Sequence, residues 1–152
     1  MPFLKKIKHL FTCMDEISHV EWSPDSNFIL CALFKRSLVE IWSVKDSKFS
    51  CRIEQGAAGV SYALFAPDSK HVLVCSDFNL RITIWNILKQ NAPVAHIKNP
   101  AHASRGLDFS KSENGKYMAI AERKDCKDYI AIVVTDTWEL VRVRFFIVTK
   151  LD

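Results

Sequence analysis

Hydrophobic positions in this chain come in short runs broken by polar turns, and no stretch keeps a helical period. Val20 and Trp22 alternate with His19, Glu21 and Ser23, which predicts a half-buried strand with Val20 and Trp22 on its core side. Ser23-Pro24-Asp25-Ser26-Asn27 predicts a turn, because proline presets φ and Asp and Asn side chains bond nearby amides. Phe28 to Phe34 is a continuous apolar run, the pattern of a strand covered on both faces. Lys35-Arg36-Ser37 turns the chain into a strand over Leu38 to Trp42, with Val39 and Ile41 on one face. Phe49 to Ile53 predicts an outer strand.

The same order then repeats. Pro24 and Pro67, Asp25 and Asp68, and Trp42 and Trp85 are each 43 residues apart. Between His19/Tyr62 and Trp42/Trp85 the copies align over 24 pairs without a gap, and six pairs are identical. Because the identities fall at the turn and at the closing Trp, the repeated object is a structural unit rather than a composition. The second unit has its turn at Ala66-Pro67-Asp68-Ser69-Lys70, a buried strand at Val72 to Ser76, a turn at Asp77-Phe78-Asn79 and a third strand at Leu80 to Trp85. A third unit is looser. Leu107-Asp108-Phe109 matches the first strand, Asn114-Gly115-Lys116 the turn, and Tyr117 to Ala121 and Tyr129 to Val134 the next strands. Val133 stands in place of the closing Trp, the connection Glu122 to Asp128 reads as a long charged loop, and Trp138 to Val143 predicts the outer strand.

A period of roughly 40–45 residues built from short strands marks β-propeller blades. The expected fold is all-β, an incomplete propeller of about three blades over residues 1–152, with blades near 17–53, 60–97 and 106–145. Residues 1–16 are expected to supply an outer strand of a preceding blade, from Lys8 to Cys13. Closed propellers have four to eight blades, so three make an open arc with bare end faces. Phe145-Phe146-Ile147-Val148 adds an uncharged β-prone patch, and the isolated chain is expected to be poorly soluble without further blades.

The formal charge of +4 is too mild for the basic stripe of a nucleic-acid binder, and Lys5, Lys6, Lys8 and His9 read as a solvated end. The beginning of the chain is too charged for a secretory signal, and no apolar run is long enough to span a bilayer. Cys13, Cys31, Cys51, Cys75 and Cys126 contain no CxxC pair, which argues against a zinc site and for a reducing compartment.

Candidate chemistry is sparse. Asp25 and Asp68 occupy matching turns, which accounts for them without catalysis. His9, His19, His71, His96 and His102 lack metal-ligand spacing, and Gly56-Ala57-Ala58-Gly59 lacks the Lys-Ser/Thr of a phosphate loop. Trp22, Trp42 and Trp85 read as packing between blades. No catalytic constellation, cofactor site or metal site is expected. The candidate binding residues are Glu122, Arg123, Lys124, Asp125, Lys127 and Asp128, because blade-tip loops are where a propeller exposes recognition groups. Their three positive and three negative charges cancel, so no nucleic-acid partner is expected.

The repeat resembles the WD40 family in its divergent form: Ser43 and Asn86 follow the closing Trp residues where the family has Asp, and the opening Gly-His pair is absent. The family's Asp-His-Ser-Trp network is therefore not carried over. Within that family the runs Ile17 to Ser23, Phe28 to Ala32, Leu80 to Trp85 and Tyr117 to Tyr129 resemble the WRAP-type WD-repeat proteins of centrosomes and spindle poles. Ala121 to Tyr129 is the most specific piece. The resemblance covers roughly residues 10 to 142, and the absence of a further blade after Leu140 suggests a fragment or truncated form. It implies a non-catalytic scaffold whose partner is a microtubule-anchoring centrosomal protein, at centriolar satellites and spindle poles in the cytoplasm and cytoskeleton. Spindle assembly and ciliogenesis are the implied processes. The alternative is a WD-like interaction module of a nuclear RNA-processing or ubiquitin-ligase assembly.

Overall fold

The computed structural model describes residues 9–76, 78–89, 92–98, 100–101 and 106–141. The expectations for Lys5, Lys6, Lys8, Asp77, His102, Val143 and Phe145 to Val148 lie outside the described residues. Among the described residues, twelve strands form three four-stranded antiparallel sheets, each a meander in chain order. The first holds β1 (His19–Trp22), β2 (Phe28–Leu33), β3 (Leu38–Ser43) and β4 (Ser50–Glu54). The second holds β5 (Val60–Phe65), β6 (His71–Ser76), β7 (Arg81–Asn86) and β8 (Pro93–Lys98). The third holds β9 (Leu107–Phe109), β10 (Tyr117–Lys124), β11 (Lys127–Val134) and β12 (Glu139–Leu140). The chain is an all-β, incomplete β-propeller, and no α-helix occurs among the described residues.

Register carries the repeat into three dimensions. Trp22 faces Ile29, which faces Trp42. Phe65 faces Val72, which faces Trp85, and Phe109 faces Met118, which faces Val133. Because side chains alternate across a strand, register fixes which residues share a face. Leu30, Ala32, Val39 and Ile41 of the first sheet pack on Ala63, Phe65, Val72 and Val74 of the second. The opposite face of the second sheet, Leu73, Cys75, Ile82 and Ile84, packs on Met118, Ile120, Ala131 and Val133 of the third. Every sheet thus has a leading face, turned toward the preceding sheet, and a trailing face, turned toward the next. Ile41 and Ile84 are fully buried in these two layers, and burying such a side chain stabilises by roughly 1.5–3 kcal/mol.

The turns tie the sheets together. Asp25 Oδ1 accepts from Asn27 N at 3.0 Å and from Ser23 Oγ at 2.6 Å, closing the first turn on itself. Its own amide donates to Ser69 Oγ in the matching turn of the second sheet at 3.0 Å, and Phe65 N donates to Glu21 Oε1 at 3.1 Å. Between the second and third sheets the contact is steric. A Cβ on Gly115, which sits at φ +76, would lie 2.4 Å from Pro67 Cγ.

Several expectations are corrected. Strand β2 stops at Leu33, and Phe34 joins Lys35 and Arg36 in a 3-10 turn closed by Ser37 in the left-handed region. Val20 and Trp22 do not face the core: each is 53% exposed, while His19 and Glu21 are half-buried beside the second sheet. They lie on the leading face of the first sheet, where no described sheet precedes it. Trp138 is not in a strand. It takes φ 58, is buried in the second layer, and meets His71 edge-on at 5.4 Å, leaving only Glu139 and Leu140 in β12.

Residues 9–13 form no strand. The segment lies as a strap on the leading face of the first sheet. Phe11 stacks on Trp42 at 5.4 Å, and Cys13 packs against Cys31, Leu33 and Leu38. Asp15 bonds Arg36 at 2.7 Å and Glu16 pairs with Lys35. Burial under the strap pushes the Cys31 thiol up to about 12.

Candidate interaction site

The charged segment expected to be a loop is the end of a long hairpin. Strands β10 and β11 run eight residues each, and only Asp125 and Cys126 lie between them. Both take positive φ, 51 and 60, as a two-residue type I′ turn requires. The charges do not break the strands because they meet across them. Arg123 stands opposite Asp128 and grips it through Nε at 2.7 Å and Nη2 at 3.0 Å. A bidentate guanidinium–carboxylate pair is directional, although solvent screening at this exposure keeps its contribution to stability small.

The six candidate residues divide by face. Glu122, opposite Tyr129, is half-buried, and burial pushes its carboxyl up. Pro100 bridges to Glu122, and Ala101 N donates to Ala121 O at 2.7 Å, so the chain after β8 braces the hairpin's flank. Arg123 and Asp128 point to the other side. Lys124 and Lys127 face each other at the mouth of the turn, both exposed. Like charges in that position repel, so the tip holds a local positive pair between the carboxylates of Asp125 and Glu122. The structure therefore brings all six to one hairpin tip, where Glu122 is half-buried and the other five are exposed.

An apolar ladder lies beneath that tip. Tyr117, Ala119 and Ala121 of β10 and Ile130, Ile132 and Val134 of β11 line the trailing face of the third sheet. Ile130 is 59% exposed, whereas Val39 and Ile82, at the same ladder position in the other sheets, are 0% and 1% exposed. The unbroken apolar run from Tyr117 to Ala121 was the available signal. It marks two apolar faces, of which the second sheet covers one.

A cleft of about 750 Å³ opens where the turns of the second and third sheets meet, beside Pro67, Asp68, Gly115 and Thr135. Asp68 there accepts from Lys70 N at 2.9 Å, His71 N at 3.0 Å and the His71 ring at 2.6 Å. Burial opposes its ionisation, but these donors outweigh it and hold the carboxyl at about 2. Both carboxylate oxygens of Asp68 accept from its own turn, which is a structural use. Among the described residues no three His, Cys, Asp or Glu side chains converge as a metal-holding group.

No family model matches the chain. The WD repeat-containing protein WRAP73 of Mus musculus is 43% identical over 137 residues, covering 90% of this chain and 29% of that protein. Among solved structures, hydrazine synthase of Kuenenia stuttgartiensis aligns with a TM-score of 0.58 at 18% identity, over 89% of this chain and 37% of that one. That likeness is of fold alone. The chain spans under a third of the curated relative it matches. With its 43-residue repeat, its three meander sheets and this relative, the chain belongs to the WD-repeat proteins of the WRAP73 type.

Proposed function

We propose that the chain works as a non-catalytic scaffold that holds protein partners at the centrosome and spindle pole, in microtubule anchoring, spindle assembly and ciliogenesis. The observation that carries this reading is the 43% identity over 137 residues to a WD-repeat relative of the WRAP type. The projecting hairpin adds support. Its tip offers Lys124, Asp125 and Lys127 to solvent on a two-strand arm, the arrangement of a surface that reads another protein. A microtubule-anchoring centrosomal protein is the proposed partner class, with the cytoplasm and cytoskeleton as the compartment.

Two measurements test it. Fluorescent tagging of the protein in dividing cells should give foci at spindle poles. A diffuse nuclear signal would transfer the chain to a nuclear RNA-processing or ubiquitin-ligase assembly. Affinity capture with Lys124 and Lys127 both changed to Glu should lose at least one partner that the unchanged protein retains. Identical partner recovery removes the tip from the binding surface.

A further inference from the structure

The strap is laid on the first sheet by alternate residues. Phe11, Cys13 and Asp15 are half-buried, whereas Leu10 and Met14 are 81% and 73% exposed. Phe11 stacks on Trp42 at 5.4 Å, and the Cys13 thiol lies within hydrogen-bond reach of Glu40. Trp42 and Glu40 are themselves two positions apart on β3, so strap and strand advance in step, two residues at a time. Asp15 then bonds Arg36 at 2.7 Å and Glu16 pairs with Lys35. The strap is thus pinned on both sides of Cys13.

That step delivers Cys13 to a second sulfur. Glu40 stands opposite Cys31 in the β2–β3 register, and opposite residues share a face. Cys13 packs on the cluster of Cys31, Leu33 and Leu38, and the Cys31 thiol donates a hydrogen bond to the Cys13 sulfur. The two cysteines are eighteen positions apart in sequence. Cys31 is 5% exposed and Cys13 is half-buried, so a reagent in solution meets Cys13 first. Cys51 and Cys75 are buried in the layers between sheets, and Cys126 is exposed at the hairpin tip. Neither layer offers Cys13 another partner.

We propose that Cys13 and Cys31 form a reversible disulfide latch, closed by a small-molecule disulfide such as glutathione disulfide, which fixes the strap to β2. The Cys13 thiolate attacks one sulfur of glutathione disulfide, giving a mixed disulfide and releasing one glutathione thiolate. The Cys31 thiolate then attacks the Cys13 sulfur, breaks the mixed bond and releases the second glutathione. Two protein thiols lose two electrons, the glutathione disulfide gains them, and the two thiol protons end on the two glutathione molecules. A reducing pool keeps the latch open. Burial raises both thiols above the ordinary value, Cys31 to about 12, which makes closure slow at neutral pH. The latch is independent of the proposed scaffold role.

The test uses the 152-residue chain with Cys126→Ser, incubated with glutathione disulfide, quenched with maleimide under denaturing conditions and digested with trypsin. The peptide from His9 to Lys35 holds Cys13 and Cys31 and no other cysteine. It should be two hydrogens lighter and take no maleimide, while the peptides of Cys51 and Cys75 take one each. Dithiothreitol should reverse the change. Phe11→Ala should slow closure severalfold, because it frees one anchor beside Cys13, and unchanged far-UV circular dichroism shows that this variant folds. Oxidation should raise the thermal midpoint by several degrees, since the bond constrains the unfolded chain. Cys13→Ser under the same treatment should show no rise. The proposal is overturned if the peptide keeps both thiols or ends as a stable glutathione adduct. It is equally overturned if Cys13 pairs with another cysteine, if Phe11→Ala closes as fast as the unchanged strap, or if closure leaves the thermal midpoint where it was.

Discussion

Gly115 is the position where a single atom decides a contact between sheets. Its φ of +76 already favours glycine, and an added Cβ would overlap the Pro67 ring at 2.4 and 2.6 Å. Gly115→Ala is expected to cost about 1–3 kcal/mol, read as a lower urea midpoint with an unchanged slope. Asp68 gives a pH signature. Its folded pKa of about 2 lies below the ordinary carboxylate value of about 4, so its contribution is complete above pH 4. That contribution fades as pH falls from about 4 toward 2. The side chain is 40% exposed, so solvent screening keeps the effect modest. Urea midpoints measured between those pH values should decline more steeply for the unchanged chain than for Asp68→Ala. Parallel curves would show that the carboxylate does not hold this turn. The role of both aspartates as turn formers was legible from Pro-Asp-Ser alone, because the hydrogen bonds that fix such a turn are local in sequence.

At the scale of the element, the hairpin from Tyr117 to Val134 shows where sequence reading stops. Six charges in seven residues look like a loop when counted along the chain. They form strand ends when counted across it, since Arg123 finds Asp128 as its direct partner. Pairing partners are non-local, and no pattern along one strand reveals them. Two outcomes follow for the tip. Cys126→Gly should stabilise the hairpin by about 1 kcal/mol, because glycine takes the left-handed conformation without the clash of a Cβ. Lys127→Glu should add roughly 0.2–1 kcal/mol by replacing a repulsive cross-strand pair with Lys124 by an attractive one. Amide exchange at Glu122 to Asp128 measures both. The first two sheets were far more legible than the third, because Pro, Asp and Trp recur there at a constant spacing. In the third sheet Val133 takes the place of the closing Trp, and the turn from Phe109 to Met118 is two residues longer than the one from Phe65 to Val72.

For the whole molecule, each sheet buries its faces only against its neighbours, so the end faces decide how the chain behaves. Alternation told correctly that Val20 and Trp22 share a face. It could not tell whether anything covers that face, and the two side chains are each 53% exposed. The position of the strap was equally hidden, since residues 9–16 carry no periodic pattern and are placed by Trp42, Cys31 and Arg36. Three sheets of one register stack face to face, and cross-strand and inter-sheet nuclear Overhauser contacts report on that stack. Contacts are expected across Ile29/Trp42, Val72/Trp85 and Met118/Val133, from Ile41 to the side chains of Ala63 or Phe65, and from Ile84 to those of Met118 or Val133. A shift of the third pair by one residue, or the absence of contacts between Ile84 and the third sheet, would contradict the stack.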